Sequence, residues 1–190
     1  MKNGGFKYKR KRMIVFSYEG KNNKTESIYF SNYQPSNESF ILRMFSSGVN
    51  DPIKMIQSTK SKRKEYDYNA KEDLTFIFMD GDDDLEKIRL IHQLQKEQPR
   101  DIKIILTNPC FELWFLNHFV RTTKSFTNKE LLEELSKYIP NYRKNQNYFN
   151  LLIDKETTAI ANSIFQKTEQ KANPNTDVVI LFTNKIIKPK

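Results

Sequence analysis

The sequence predicts an α/β fold in which a parallel-rich sheet is flanked by helices and a helical layer forms the C-terminal part. Over residues 13–120, short apolar stretches alternate with segments of helical periodicity, which is the pattern of parallel strands joined by crossover helices. Over residues 121–190 the periodicity is mainly helical. A length of 190 residues fits one domain. We place this domain at residues 13–190, after a flexible basic arm at residues 1–12.

Four strands are predicted from runs of apolar and β-branched residues. The third of them is apolar enough to be covered on both faces of the sheet. The predicted strands lie at residues 13–18, 39–45, 74–79 and 102–106.

Helices are predicted from capping residues and apolar spacing. Asp51 precedes Pro52, a pair typical of a helix start, and this helix is expected to give way to a charged stretch at residues 60–69. Thr25 is expected to cap a short helix, and Asn175 or Thr176 to cap the last one. The other predicted helices lie at residues 85–98, 109–119, 128–138 and 154–171.

Composition argues against several classes of protein. The longest apolar runs are far shorter than the ~20 residues that a membrane span requires, and one cysteine, Cys110, cannot form an internal disulfide. The apolar run after the basic N-terminus is too short for a signal peptide, so we expect a cytoplasmic protein. The chain has no P-loop motif, no dinucleotide-binding glycine motif and no CxxC or HExxH pair, which argues against ATP or zinc binding.

The net charge favours a polyanionic partner. Thirty-two Lys and Arg against 23 Asp and Glu give a formal charge of +9, and basic proteins gain affinity for nucleic acid by neutralising phosphates. A lysine-rich soluble surface explains the same charge without a partner.

Acidic residues are concentrated where two predicted strands end. Glu19 follows the first strand, and Asp80-Gly81-Asp82 follows the third. The carboxyl ends of parallel strands open on one edge of a sheet, so Glu19 and Asp80 are expected to converge, with Gly81 letting both aspartates face the same space. Such oxygen ligands suit Mg²⁺ or Mn²⁺. Alternatively, the acidic stretch is a polar turn whose last residue, Asp84, caps the next helix.

A second feature follows the fourth strand, at residues 108–118. Glu112 lies in a nearly all-apolar segment, where a carboxylate needs a partner or a metal, although its position in a first helical turn is also favourable by itself. His118 fits an interior histidine better than a metal ligand. Cys110 at a helix start is a weak candidate nucleophile, because no base is evident beside it.

A third feature is basic. Tyr142-Arg143-Lys144, with Lys137 and Lys155 in the same part of the chain, provides cations that could contact a phosphate backbone. A solvated loop is the competing explanation for each of these residues.

Together these motifs resemble those of the RloB family, also met as one half of AbiL-type abortive-infection systems, whose fold resembles the Toprim catalytic domain. The match to the family's N/S-P-x-F-E-L-W-F-L-x-H-F motif is the most specific. A two-residue insertion around Asn22 and Asn23 interrupts the first motif. The matching segments are Glu19-Gly20, Lys24-Thr25-Glu26, Tyr29-Phe30, Asp80-Gly81-Asp82, residues 108–119, Tyr142 with Lys144, and residues 173–176.

The resemblance implies a Mg²⁺-dependent nuclease that is the toxic effector of an anti-phage defence system, beside a separate ATPase partner. It implies RNA or DNA as substrate, possibly tRNA, and leaves a homodimer open. The implied roles are proton transfer or metal binding for Glu19, metal ligation for Asp80 and Asp82, a further ligand or support for Glu112, a second metal for Glu26, and phosphate contact for Lys144.

Two other hypotheses stay open. The chain could be a non-catalytic regulatory module that uses the same acidic edge to bind a metal or nucleic acid. It could also be an assembly component that docks on an ATPase through the apolar stretch at residues 178–187, although such stretches usually pack on their own core.

Overall fold

The computed structural model describes residues 10–20 and 24–190. The strands are β1 (Arg12–Tyr18), β2 (Tyr33–Pro35), β3 (Phe40–Ser46), β4 (Leu74–Asp80), β5 (Ile102–Asn108), β6 (Asn175–Thr176) and β7 (Ile187–Pro189). Five of them form the main sheet in the order β3-β1-β4-β5-β6, while β2 and β7 form a separate antiparallel pair. Strands β3, β1, β4 and β5 are parallel, and β6 is antiparallel to β5. The predicted α/β fold with a mostly parallel sheet is therefore confirmed.

Eight helices flank the sheet in the described part of the chain. They are α1 (Thr25–Phe30), α2 (Pro52–Lys64), α3 (Leu85–Glu97), α4 (Glu112–Leu116), α5 (Asn128–Leu135), α6 (Phe149–Leu152), α7 (Glu156–Thr168) and α8 (Val179–Thr183), with a short 3₁₀ turn at Ile153–Lys155. No helix in the described residues is both long and apolar enough to span a bilayer.

The sheet separates two hydrophobic clusters, because successive side chains of a strand point to opposite faces. Ile77 and Met79 of β4 pack with helices α2 and α3 on one face. Phe76 and Phe78 of β4 belong to a larger, aromatic-rich cluster on the other face. Trp114 of α4 is fully buried in this second cluster, which also includes residues of α1, α5, α7 and α8. The helical C-terminal layer thus covers one face of the sheet.

The four predicted strands are confirmed, but the three short strands were not predicted. The sequence predicts Asn175 or Thr176 as the cap of the last helix, but the two residues form β6 and pair with Asn108 and Thr107. The Thr176 hydroxyl lies 2.8 Å from that of Thr107. It also accepts a hydrogen bond from the Val178 N–H, so it supports the turn into α8 from within the sheet.

The bounds of several predicted helices need correction. The second helix continues through residue 64 into the charged stretch, where Arg63 forms an ion pair with Asp101 at 2.8 Å. The helix expected to begin at Pro109 begins at Glu112, and tight i to i−3 backbone bonds at Leu113 and Trp114 form the turn before it. Thr25 is the first residue of α1 and not its cap.

The N-terminal arm was predicted at residues 1–12, and residues 1–9 lie outside the described residues. Arg10 forms an ion pair with the buried Asp73 at 3.0 Å, and Arg12 begins β1. The C-terminal stretch considered as a docking surface packs on the core, since Val178 and Leu181 are fully buried.

Candidate functional site

The carboxyl ends of β1, β4 and β5 lie side by side in the sheet. Glu19 directly follows β1, Asp80 ends β4 and Asn108 ends β5. The backbone N–H of Asp80 donates a hydrogen bond to the Glu19 carboxylate at 3.4 Å. Parallel pairing thus brings Glu19 and Asp80 together, as the strand pattern predicted.

Two helices on the aromatic face of the sheet add two buried carboxylates. Glu26 lies in the first turn of α1 and Glu112 is the first residue of α4, and the two residues are 7% and 2% exposed. One oxygen of Glu112 accepts hydrogen bonds from the Tyr142 hydroxyl at 3.0 Å and the Thr25 hydroxyl at 3.5 Å. The sequence predicted that Glu112 needs a partner, and these contacts provide it.

Asp80 is the electrostatic centre of the site. Burial raises its pKa well above the usual range, and four neighbouring carboxylates raise it further. Burial and the charge of Glu112 likewise raise the pKa of Glu26 to about 7, and burial raises the pKa of Glu19. We call this group the acidic cluster: Glu19, Glu26, Asp80, Asp82 and Glu112.

Lys87 of α3 neutralises part of this charge and was not predicted from the sequence. Its ammonium lies 2.6 Å from an Asp82 oxygen and 3.7 Å from a Glu19 oxygen. Burial lowers the pKa of Lys87, but the contacts with Asp82 and Glu19 outweigh this effect, so the pKa is raised. One feature of the sequence does point to Lys87: it lies in the first turn of a predicted helix that begins directly after the acidic turn.

Lys144 supplies a second ammonium, 3.5 Å from a Glu112 oxygen, and its side chain remains half exposed. Burial opposes its charge, but Glu112 outweighs burial and raises the pKa of Lys144. Of the cations predicted near it, Lys137 pairs with Glu134 at 2.7 Å and Lys155 lies over the Phe119 ring. Among these three lysines, the structure brings Lys144 to the acidic cluster.

The turn between β4 and α3 is fixed by two asparagines. Asn108 accepts a hydrogen bond from the Asp83 N–H at 2.9 Å, and Asn173 donates one to the Asp83 carboxylate at 2.7 Å. Asp82 and Asp83 adopt left-handed φ values of 53° and 57°. The unusual backbone conformation of the turn was expected at Gly81, but it occurs at these two aspartates. Gly81 is needed for a different reason, because a Cβ there would lie 2.7 Å from the Asn108 side-chain oxygen.

The alternative interpretation of the acidic stretch is confirmed in one respect. Asp84 caps α3 and accepts hydrogen bonds from the N–H groups of Glu86 and Lys87. This capping role belongs to Asp84, while Asp80 and Asp82 lie in the acidic cluster. The turn therefore both caps α3 through Asp84 and contributes Asp80 and Asp82 to the acidic cluster.

Two other candidate residues have interior roles. Burial and the charges of Glu112 and Asp80 raise the pKa of the Cys110 thiol well above its usual range, which disfavours the reactive thiolate. His118 is buried, its Nδ1 lies 2.8 Å from the Trp114 carbonyl oxygen, and burial lowers its pKa to about 4. His118 is thus a neutral interior histidine.

The donor set of the acidic cluster fits a hard divalent cation chemically. The five carboxylates outnumber the ammonium groups of Lys87 and Lys144 that contact Glu19, Asp82 and Glu112. Burial and, after it, the four other carboxylates raise the pKa of Asp80. Oxygen ligands of this type suit Mg²⁺ or Mn²⁺. Across residues 10–20 and 24–190, no group of three or more His, Cys, Asp or Glu side chains is placed so that it could hold a metal ion. The insertion at residues 22–23 lies outside the described residues.

Comparison with known proteins gives one match. The family model described as RloB-like protein matches residues 14–184, a range that includes every member of the acidic cluster. No curated protein and no solved structure matches the chain significantly.

Proposed function

Because the chain belongs to the RloB-like family, we propose that it is a metal-dependent nuclease that hydrolyses phosphodiester bonds of RNA or DNA. The observation that carries this proposal is the acidic cluster around Asp80, at the sheet edge where α/β proteins bind ligands. The net charge of +9 suits a polyanionic substrate.

In this proposal Asp80, Asp82 and Glu19 hold Mg²⁺ or Mn²⁺, with Glu112 as a further ligand and Glu26 able to serve a second ion. A cation bound there would activate water and neutralise charge on the scissile phosphate. Asp80 is the central ligand in this proposal, because it is buried and the four other carboxylates all raise its pKa.

Side chains of the protein then transfer protons and neutralise charge. Proton transfer is the alternative role of Glu19 if it does not ligate the cation, because burial raises its pKa toward the range in which a general base works near neutral pH. Lys144 contacts Glu112 and is half exposed, so its ammonium can also contact a phosphate oxygen of the substrate. Lys87, between Glu19 and Asp82, limits the repulsion within the cluster.

The wider role follows from the resemblance. We propose a Toprim-like catalytic domain acting as the toxic effector of a cytoplasmic anti-phage system controlled by an ATPase partner. A parallel sheet with an acidic residue after β1 and an Asp-Gly-Asp turn after β4 supports the first part. The absence of a P-loop from the sequence agrees with a separate ATPase.

Cleavage assays test the proposed activity. Purified protein is incubated with labelled RNA, tRNA and DNA, with Mg²⁺, with Mn²⁺ or with a chelator. We expect cleavage that requires the cation, and at least about 100-fold slower cleavage by Asp80→Asn and Asp82→Asn, since each removes a charged ligand. Glu97→Gln, an exposed acid in the last turn of α3, is the matched control and should cleave normally. Unimpaired cleavage by either aspartate variant would contradict the assigned site.

A second candidate function is a regulatory subunit that binds metal or nucleic acid without cutting. It is favoured by Lys87, which lies between Glu19 and Asp82, a position from which it can compete with a cation. Stabilisation by Mn²⁺ with no cleavage of any substrate in the same assays would support this alternative.

A further inference from the structure

A cleft of about 740 Å³ opens beside the acidic cluster. Its walls come from the loops after β1 and β3, the start of α2 and the loop before α6. The residues that matter for its chemistry are Gly20, Lys24, Asn50, Asp51, Lys54 and Asn145. The volume lies within the range of small-molecule sites, about 300–1,000 Å³.

The cleft and the acidic cluster share a wall. Gly20 lines the cleft directly after Glu19. On another side, the backbone N–H of Asn145 donates to the Thr25 hydroxyl at 3.3 Å, and that hydroxyl donates to Glu112 at 3.5 Å. Gly20 and Asn145 therefore connect the lining of the cleft to the acidic cluster.

The cleft has the opposite charge to the cluster. Lys24 and Lys54 line it, and neither ammonium lies within 4 Å of a carboxylate oxygen in the described residues. The charge of Lys24 also opposes the rise in the pKa of Glu19 and Glu26. The one acid in its lining, Asp51, is engaged as the cap of α2 and accepts a hydrogen bond from the Lys54 N–H at 2.8 Å. Asn50 and Asn145 add uncharged polar side chains to the lining.

Gly20 lets one of these lysines lie against the backbone of the cleft wall. Its φ is +73°, and a Cβ there would come within 2.8 Å of Lys24 Cε and 3.1 Å of Lys24 Nζ. The ammonium of Lys24 therefore occupies space that a side chain at residue 20 would fill. Lys24 itself is exposed, so its ammonium stays accessible to a ligand while it lies against this wall.

We propose that this cleft binds a backbone phosphate of a polynucleotide, next to the phosphodiester that faces the acidic cluster. Lys24 and Lys54 supply the charge, and Asn50 and Asn145 supply hydrogen bonds. The position next to the scissile bond rests on the proposed nuclease function. The proposal that the cleft binds phosphate does not depend on that function.

Salt-dependent binding tests the proposal in the absence of cleavage. Fluorescence anisotropy with a short labelled single-stranded oligonucleotide, in chelator and at several salt concentrations, compares the full chain with a Lys24→Ala/Lys54→Ala variant. We expect about tenfold weaker binding at low salt, and a slope of log affinity against log salt that is reduced by roughly 0.7 to 1, as loss of the one phosphate that the two lysines neutralise predicts. The matched control is Lys71→Ala/Lys96→Ala. It removes two exposed lysines near the amino ends of β4 and β5 and should change affinity less than twofold.

Three results would overturn the proposal. They are equal affinity and salt slope for the wild type and the Lys24/Lys54 variant, an equal loss in the control, and binding of a nucleoside monophosphate as tight as that of the oligonucleotide. Because no divalent cation is present, failure of the nuclease proposal leaves this measurement unchanged. A thermal melt of each variant shows that a changed slope does not come from unfolding.

Discussion

Asp80 and its neighbours show how single residues set the character of the site. Burial and four carboxylates raise the pKa of Asp80, and this concentration of charge at one edge follows from parallel pairing of β1, β4 and β5. The sequence could predict that convergence, because it depends only on where each strand ends. It could not predict Lys87, because the helix was assigned from its apolar residues and the direction of a polar side chain depends on tertiary packing.

Lys87 gives a prediction at the residue scale. Lys87→Met leaves Glu19 and Asp82 without their ammonium partner, so without divalent cations we expect the free energy of unfolding to fall by about 1–2 kcal/mol. Addition of Mn²⁺ should then stabilise the variant more than the wild type, because the cation replaces the lost charge. Urea denaturation with and without Mn²⁺ measures both effects.

The control for Lys87 is Lys129→Met. Lys129 lies 3.8 Å from Glu133 in an exposed i, i+4 pair, and such pairs contribute about 0.5 kcal/mol or less. If Lys87→Met behaves like Lys129→Met with and without Mn²⁺, Lys87 does not balance the acidic cluster.

At the scale of elements, long apolar strands were predictable and short pairings were not. The four parallel strands have seven residues each and a clear apolar pattern. Strand β6 has two residues and exists because Thr176 and Asn175 meet β5, a contact between segments remote in the sequence. Asn173, just before β6, belongs to a segment that matches the family motif. Its hydrogen bond to Asp83 in the acidic turn could not be predicted, because it joins segments remote in the sequence.

The turn between β4 and α3 gives a prediction at this scale. Gly81→Ala places a Cβ 2.7–2.9 Å from three atoms of the Asn108 side chain, and we expect the free energy of unfolding to fall by about 1–3 kcal/mol. Cleavage should also fall, because the shifted turn carries Asp82.

A double-mutant cycle with Asn108→Gly tests whether this contact is the cause. Removing the Asn108 side chain removes the clash, so the double variant should be more stable than the sum of the single effects by at least about 0.5 kcal/mol. Additive effects would show that Gly81 is required for another reason.

At the scale of the whole molecule, the acidic cluster is a concentration of negative charge within a protein whose net charge is positive. The formal charge of +9 attracts polyanions over the surface, while the acidic cluster at the sheet edge repels phosphate unless a cation is bound. The sequence predicted both charges, but it could not predict the cleft of Lys24 and Lys54. That cleft is formed by loops whose relative positions are set by the sheet order β3-β1-β4.

Calorimetric titration of Mn²⁺ into the wild type and Asp80→Asn tests the central claim, that these carboxylates bind a divalent cation. We expect saturable binding to the wild type near neutral pH and at least about tenfold weaker binding to the variant. Asp80→Asn removes a buried, repelled charge, so the metal-free variant should melt at the same or a higher temperature than the wild type. Equal Mn²⁺ affinity for the two folded proteins, or no binding to either, would contradict the account.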